Sequence, residues 1–505
     1  TMVVGVKWGK TELPRERAKL YEAAVEVILQ AQYTPQDDAR KQLVDWGGPW
    51  EEQREWLMEL AYRMHSSGEG GAAVSEEVVR SILGQVLAAE KVQRFLEAVR
   101  SRGGLFEERA ESFQFLHLSF QEFLAARWIV KQREKGWVEL EGRLVDSWWR
   151  EVLLLSHGFA LRDHRPFAEQ YLNWLSQERD DGEQHLGGLE LAGSALLEME
   201  SPQEEAKQAC AARIVEVLKK ADLLAPAPLR ARVGDCTDRL GYAPEDLGSL
   251  VAIRDEEGRV LFRIGKYPVT NGEYRAFLES GQFAEERYWV GQLRFDERSR
   301  PAGKWAEEGL AWLRQAQKDK NNSPDGVVVY PRLWRDPQFG MPRLGAPVVG
   351  MTWWEANAYC RWRSEQLGWG LEGLRLPTEA EWLRAAGGDR PEGRYPWDEK
   401  GKETKAEEEI LKRANAGNAV GRTTVVWQYP LGATEGGVWD LAGNVWEWQA
   451  NLFGDELDGF ALRGGSGYFN GRIVRCAFRD RVASVVLNYL GFRLFSPDIF
   501  LDAED

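Results

Sequence analysis

Along the first two fifths of the chain, apolar residues recur at intervals of three and four, the spacing that lines one face of an α-helix. Leu20, Ala23, Ala24, Val27 and Ile28 keep that period, as do Trp56, Leu57, Leu60 and Met64. Val78, Val79, Ile82, Leu83 and Val86 follow Ser75, whose hydroxyl can cap a helix that opens with Glu76 and Glu77. Further stripes run over residues 120–130, 148–155 and 211–218, with Gly and Pro in the gaps. Residues 13–218 therefore read as an all-α array, with room for short strands over 105–115.

Near residue 246 this period gives way to short apolar runs broken by Gly, Pro, Asn and Asp. The break divides the chain into a helical region, 1–245, and an α+β region, 246–505, which is expected to fold on its own. In the second region the pattern predicts helices over 271–279 and 354–366 and a third after Thr378, among short strands and long loops. No fixed-period repeat or low-complexity tract interrupts either region.

Composition narrows the function classes. The chain has 505 residues, 43% hydrophobic and 29% charged, which suits a globular protein of two to four domains. Its 23 Trp residues call for large apolar cores that also offer partners to indole N–H groups. A net charge of −15 argues against a nucleic-acid coat. The four cysteines stand far apart, at 210, 236, 360 and 476, with no CxxC pair, so a reducing cytoplasm is the expected setting. No run of 18 apolar residues occurs, and no membrane partner is expected. The five histidines all lie at or before His185, which removes histidine acid–base and metal chemistry from the second region.

Seven segments of the second region carry a family likeness. They are YPVTNGEYRAF at Tyr267, PVVGMTWWEANAYCRW at Pro347, LRLPTEAEWLRAA at Leu374, GVWDLAGNVWEW at Gly437, RGGS at Arg463, RCAFR at Arg475 and LGFR at Leu490. In content and order they resemble the formylglycine-generating-enzyme, or sulfatase-modifying-factor, family, which implies a C-type-lectin-like fold. Each also has a local structural use. In LPTEAEW, Thr378 and Glu381 stand at capping-box spacing; in RGGS, two glycines permit backbone angles that a Cβ forbids.

The family's chemistry is not carried over with the motifs. Its oxidation of a substrate cysteine needs a cysteine pair that holds copper, and by position that pair falls here at Phe469 and Gly471, neither of which supplies a thiolate. Related iron-dependent sulfoxide synthases use histidines, which this region lacks. No copper, iron or nucleotide is therefore expected on this chain, and no enzyme activity. The resemblance does imply a calcium site, formed by the Asp440 side chain, the Gly443 and Val445 carbonyls and Glu447, with structural hydrogen bonding as the alternative role of the two carboxylates.

Residues 463–493 hold a second pattern. They resemble the variable region of proteins diversified by retroelements, in which adenines of a template are copied with mutation. The fixed residues stand as Arg463, Gly464, Gly465, Ser466, Arg472, Val474, Arg475, Cys476, Ala477, Arg479, Arg481, Gly491, Phe492 and Arg493. Between them lie Tyr468, Phe469, Asn470, Ile473, Phe478, Asp480, Val482, Ala483, Val485, Val486, Asn488 and Tyr489, each of which can be encoded by a codon ending in C, the outcome expected of randomised AAC codons. Gly467 stands where the family has Trp and joins the variable set. The resemblance implies a ligand-binding surface made by these side chains, whose partner is a protein. An ordinary strand-rich core is the alternative, since Val, Ile, Phe and Tyr favour strands in any setting. Six arginines against one aspartate make the segment basic, and pairing with nearby carboxylates explains them more simply than a nucleic-acid stripe.

LPRERAKLYEAAVEVIL at Leu13 and FQFLHLSFQEFLAARWIV at Phe113 resemble the region that follows the nucleotide-binding core of NACHT-type signalling NTPases. That implies a small winged-helix-like part and a link to an NTPase domain upstream or to a signalling partner, because no GxxxxGK[ST] motif occurs in this chain. Phe120, Phe123, Leu124, Trp128 and Ile129 form one predicted buried face, with His117 expected as a core histidine. The leading expectation is a recognition protein; an enzyme and a ligand-free scaffold are its competitors.

Overall fold

The three-and-four faces become helices that bury them. A computed structural model describes residues 17–31, 50–102, 104–199, 201–220, 225–387, 394–399, 403–454, 459–482 and 489–497. The chain divides into two units, Thr1–Cys210 and Ala211–Asp505.

In the first unit, α1 (Arg17–Ala31) and α2 (Trp50–Ser66) precede α3 (Glu76–Leu83) and α4 (Ala89–Arg102). Ser75 caps α3 by accepting the Val78 N–H, the role its sequence context predicted. Strands β1 (Ala73–Val74), β2 (Phe106–Arg109) and β3 (Ser112–Phe115) form an antiparallel sheet in the order β1-β3-β2. Two helices followed by a β2–β3 hairpin make a winged helix. Next come α5 (Leu118–Gln132), α6 (Ser147–Asp163), α7 (Arg165–Ser176) and α8 (Gly182–Glu198). Phe120, Phe123, Leu124, Trp128 and Ile129 are all buried. His117 is not in the core: it is exposed, and its Nδ1 accepts the Ser119 N–H to cap α5, because it stands at the N-cap where the chain passes from β3 into that helix.

The second unit begins ahead of the composition change at 246. Helix α9 (Ala227–Arg239) lies within it. Thr237 Oγ1 accepts the Trp427 indole N–H at 3.1 Å, and Asp238 accepts the Gly345 N–H at 2.8 Å. A Cβ at Gly234 would sit 1.8 Å from the Gln428 carbonyl oxygen, so this mid-helix glycine is there for close approach.

Strands β4 (Leu250–Arg254) and β5 (Val260–Gly265) open the lectin-like fold. Helices α10 (Asn271–Glu279), α11 (Trp353–Gln366) and α12 (Glu379–Ala385) each start with a complete capping box, Thr270/Glu273, Thr352/Glu355 and Thr378/Glu381. The central sheet uses β6 (Gln292–Phe295), β7 (Pro301–Trp305), β8 (Trp446–Leu452), β9 (Phe460–Arg463) and β10 (Asp480–Val482), in the order β10-β9-β8-β6-β7, with β11 (Leu490–Gly491) on β8. The last described strand, β12 (Phe495–Pro497), returns to pair with β5 and closes the domain into a loop. Strand β8 is buried throughout, and Trp446 and Trp448 alternate with Glu447 and Gln449. Those buried polar groups require partners, and the partners define the ground on which the site is built. Among the described residues no helix is long and apolar enough to cross a membrane.

Candidate binding site

The segment after β9 leaves the sheet through Gly464 and Gly465, whose φ angles are 94° and 72°. A Cβ at Gly465 would meet Val474 Cγ1 at 2.8 Å, so both the backbone angle and the space exclude other residues. Ser466, Val474, Cys476, Gly491 and Phe492 are buried beneath the turn. Arg463 Nε donates to Glu379 at 2.8 Å, and its Nη1 donates to the Ala477 carbonyl at 3.0 Å. Arg479 approaches the same carboxylate with two bonds, at 3.0 and 2.6 Å. Glu379 thus gathers two arginines and fixes the course of the chain between them. Arg493 is fully buried and forks onto Glu447 at 2.7 and 2.6 Å. These three arginines have structural carboxylate partners.

The residues between them face the other way. Asn470, Phe478 and Asp480 are exposed, and Tyr468, Phe469, Ile473, Val482 and Tyr489 are half-buried. Four of these are aromatic: Tyr468, Phe469 and Tyr489 adjoin one another, and Phe478 joins them through Trp446. Tyr468 and Tyr489 have ring centroids 5.7 Å apart, and Phe469 and Tyr489 6.0 Å. Beneath them Trp446 lies 6.0 Å from Phe469 and 6.1 Å from Phe478, forming a buried floor. Phe478 is 39% exposed, among the few large apolar side chains so open. Gly467 is the exception in the predicted set. It is buried, and a Cβ would meet the Asn415 side chain at 2.9 Å, so it is part of the support. Ala483, Val485, Val486 and Asn488 lie outside the described residues.

Sequence reasoning missed the walls. The Tyr468 hydroxyl reaches the Gly421 carbonyl at 3.4 Å, and Leu333 belongs to the same apolar cluster as Tyr468. The turn at Gly417 and Asn418, with φ angles of 66° and 55°, donates its two N–H groups to the Phe469 and Gly467 carbonyls, each at 2.7 Å. A Gly-Asn pair is a readable turn signal; which strand-end it braces is not readable from the sequence.

The family's metal chemistry finds poor donors here. Gly471 offers only main-chain groups, bonded to Glu407 and the Tyr395 hydroxyl, and Phe469 packs beside Trp446. Cys476 is buried, its thiol donates to the Ala386 carbonyl, and burial pushes its pKa up to about 12, the opposite of a reactive thiolate. For calcium, Glu447 already holds the Arg493 guanidinium on both oxygens and the Trp382 indole at 2.8 Å, while Asp440 accepts from Asn444 at 2.9 Å. Among the described residues no group of three or more His, Cys, Asp or Glu is arranged to hold a metal. Asp440, Gly443, Val445 and Glu447 do not fit the calcium expectation, because the cation beside Glu447 is Arg493.

Burial raises the Asp440 carboxyl to about 7, with Glu447 adding to the rise and Asn444 and Arg493 opposing it. Between about pH 4 and 7 the unfolded chain releases this proton and the folded one keeps it, so stability falls as pH rises, by up to about 1.4 kcal/mol per unit. Asp440→Asn keeps the shape and suits the residue's φ of 56°. The variant is expected to match the parent near pH 4 and to melt higher at pH 8, with chelator changing neither. A chelator-sensitive parent melt, lost in Asp440→Asn, would restore calcium.

Comparison with known proteins places these features. The sulfatase-modifying factor enzyme 1-like domain matches residues 254–496, and the winged helix-turn-helix domain C-terminal to NACHT matches residues 17–129. The inactive C-alpha-formylglycine-generating enzyme 2 of Bos taurus is 31% identical over 233 residues, 42% of this chain and 69% of the bovine protein. The chain belongs to the sulfatase-modifying factor family. The hercynine oxygenase of Mycobacterium tuberculosis is 30% identical over 249 residues, 43% of this chain and 48% of that protein, so the chain spans about half the length of this relative. Sulfatase-modifying factor relatives thus include both an oxygenase and a protein named inactive. Treponema denticola variable protein 1 is similar in structure at 19% identity and a TM-score of 0.30, over 49% of this chain and 91% of that one.

Proposed function

We propose that the second unit is a recognition domain whose variable surface binds a protein ligand without chemistry, and that the first unit joins it to a signalling NTPase. One observation carries the binding part. Of the twelve interspersed residues, the eight described are all at least partly open to solvent, whereas nine of the fourteen fixed residues, Arg463, Gly464, Gly465, Ser466, Val474, Cys476, Gly491, Phe492 and Arg493, are buried and only Arg472, Arg475, Ala477, Arg479 and Arg481 are not. A buried position cannot accept near-random side chains without cavity or overpacking costs of about 1–5 kcal/mol. Each of the eight side chains keeps a solvent-facing part, and Phe469, Ile473, Val482 and Tyr489 rest only on the edge of the core, so substitution there forfeits partial burial and not a full core position. Tyr and Phe supply rigid contact area at small entropic expense, which suits a protein partner. The likeness of residues 17–129 to a domain found C-terminal to NACHT supports the signalling link.

Genomic sequence tests the diversified reading: a near-copy of the segment encoding 463–493, differing at adenines and lying near a reverse transcriptase gene, is expected. Complete flanking sequence without such a copy would overturn it. A second test uses the folded protein. Tyr468→Ser and Phe478→Ser are each expected to lower stability by under about 1.5 kcal/mol in denaturant titrations, and Val474→Ser by about 2–4 kcal/mol. Equal losses at all three positions would return the segment to an ordinary core.

A further inference from the structure

The loops that wall the variable surface are joined to each other outside it, directly at Arg343–Thr423 and Val426–Gly345 and through one shared carboxylate. Asp235, on α9, accepts Arg343 Nη2 on one carboxylate oxygen and Arg422 Nη2 on the other, both at 2.5 Å. Among the described residues no other carboxylate is paired with either arginine. Without Asp235, the buried Arg343 and the partly buried Arg422 would lose the carboxylate they share, leaving Asp238 as the acidic group near Arg343.

Each arginine leads to the surface. Arg343 closes the loop that carries Leu333: its Nη1 donates to the Gln338 carbonyl at 2.7 Å and to Thr423 at 3.1 Å, and its own carbonyl accepts from Asn271 at 2.9 Å. Arg422 ends the segment that carries the brace. Its carbonyl accepts from Asn415 at 2.8 Å, and Asn415 lies directly beneath Gly467. From the same segment, Gly417 and Asn418 hold the Phe469 and Gly467 carbonyls. The main chain of the variable segment is therefore hung on a part of the fold that the Asp235 carboxylate braces together with the Asn444 side chain, which bonds Asn415 and Thr424.

We propose that Asp235 is a positioning residue for the variable surface, holding the 331–345 and 415–424 segments so that the main chain at 467–469 keeps its course whatever side chains it carries. The role rests on the binding reading, since a surface that binds nothing needs no such constancy. It also explains how side chains there can vary without loss of register: the anchoring bonds go to backbone atoms, which every residue supplies.

Amide hydrogen exchange on the full chain tests this. Asp235→Asn keeps the shape and removes the charge. It is expected to speed exchange at Gly417 and Asn418 by about tenfold or more, with the β8 amides unchanged. Glu365→Gln, which breaks the half-exposed Arg287–Glu365 pair elsewhere in the unit, is the control and should leave Gly417 and Asn418 at parent rates. Faster exchange confined to 343–345 and 422–424, or an equal rise in the control, would overturn the proposal. Should Asp235→Asn unfold the unit throughout, Arg422→Gln leaves Arg343 its carboxylate and is read by the same criteria. The genomic template test is independent, so failure of the positioning role and failure of the binding reading are told apart.

Discussion

A fragment of residues 246–505 is expected to melt far below one of residues 211–505, or to aggregate, although the composition break lies at 246. The shorter fragment loses α9 together with Tyr242. Val425, Val426 and Trp427 are buried in a cluster that includes Val215 and Tyr242, and the Trp427 indole is bonded to Thr237. Full burial of a Val or a larger apolar side chain is worth about 1.5–3 kcal/mol, so uncovering most of these three removes about 5 kcal/mol. Arg343, 7% exposed, would also lose its carboxylate and the Gly345 N–H its acceptor. A domain has typically about 5–15 kcal/mol in total. Calorimetry of the two fragments decides: cooperative melting of 211–505 with a weak, broad or absent transition in 246–505 is the expected result. Equal melting temperatures would show that α9 is only an attached linker.

The reason this was hard to read lies in what periodicity reports. The run APLRARVGDCTDR, residues 227–239, is visibly helical by its Pro near the first turn, but a helical period says which face is buried and nothing about which unit buries it. One residue did carry the information. Gly234 sits mid-helix at a cost of about 1 kcal/mol relative to Ala, and such a glycine signals close approach by another segment, here Gln428. By contrast, the Thr378/Glu381 capping box was legible at full detail, since Thr and Glu three residues apart complete their own hydrogen bonds without help from the rest of the fold; the boxes at Thr270/Glu273 and Thr352/Glu355 have the same spacing and were not singled out.

The site was legible to the same rule. Among the described residues of 463–493 the interspersed side chains are open or half-open, while the fixed ones divide: the glycines, Ser466, Val474, Cys476, Phe492, Arg463 and Arg493 are buried, and Arg472, Arg475, Ala477, Arg479 and Arg481 are not. The segment's supports are not local. Glu379 is 84 residues from Arg463 and 100 from Arg479, and Gly417 is bonded to Phe469 across a turn. The residues expected to hold calcium fit it poorly for a related reason. Asp440 and Glu447 match a ligand motif in one segment, yet the group that occupies Glu447 comes from Arg493, 46 residues later. A motif read within its own segment cannot reveal a cation brought in from another.

That arginine makes the sharpest stability prediction. Glu447 and Arg493 are both wholly buried, and the guanidinium also donates to the Gly265 carbonyl at 2.8 Å and the Trp439 carbonyl at 2.9 Å. Arg493→Met removes the cation and leaves a carboxylate in the core with only the Trp382 indole to satisfy it. Breaking a buried pair in this way costs about 3–5 kcal/mol, which in a unit of this size corresponds to a fall of about 10 °C in Tm. Removing both charges should cost much less, since desolvation is the larger part of the penalty. Glu447→Gln with Arg493→Met keeps an oxygen for Trp382 and fills similar volume, so the double variant is expected to recover at least half of the loss. A double-mutant cycle by denaturant titration measures this directly. If the single Arg493→Met variant is as stable as the parent, or if the two losses simply add, the pair is not coupled and the case that Arg493 takes the cation position beside Glu447 falls with it.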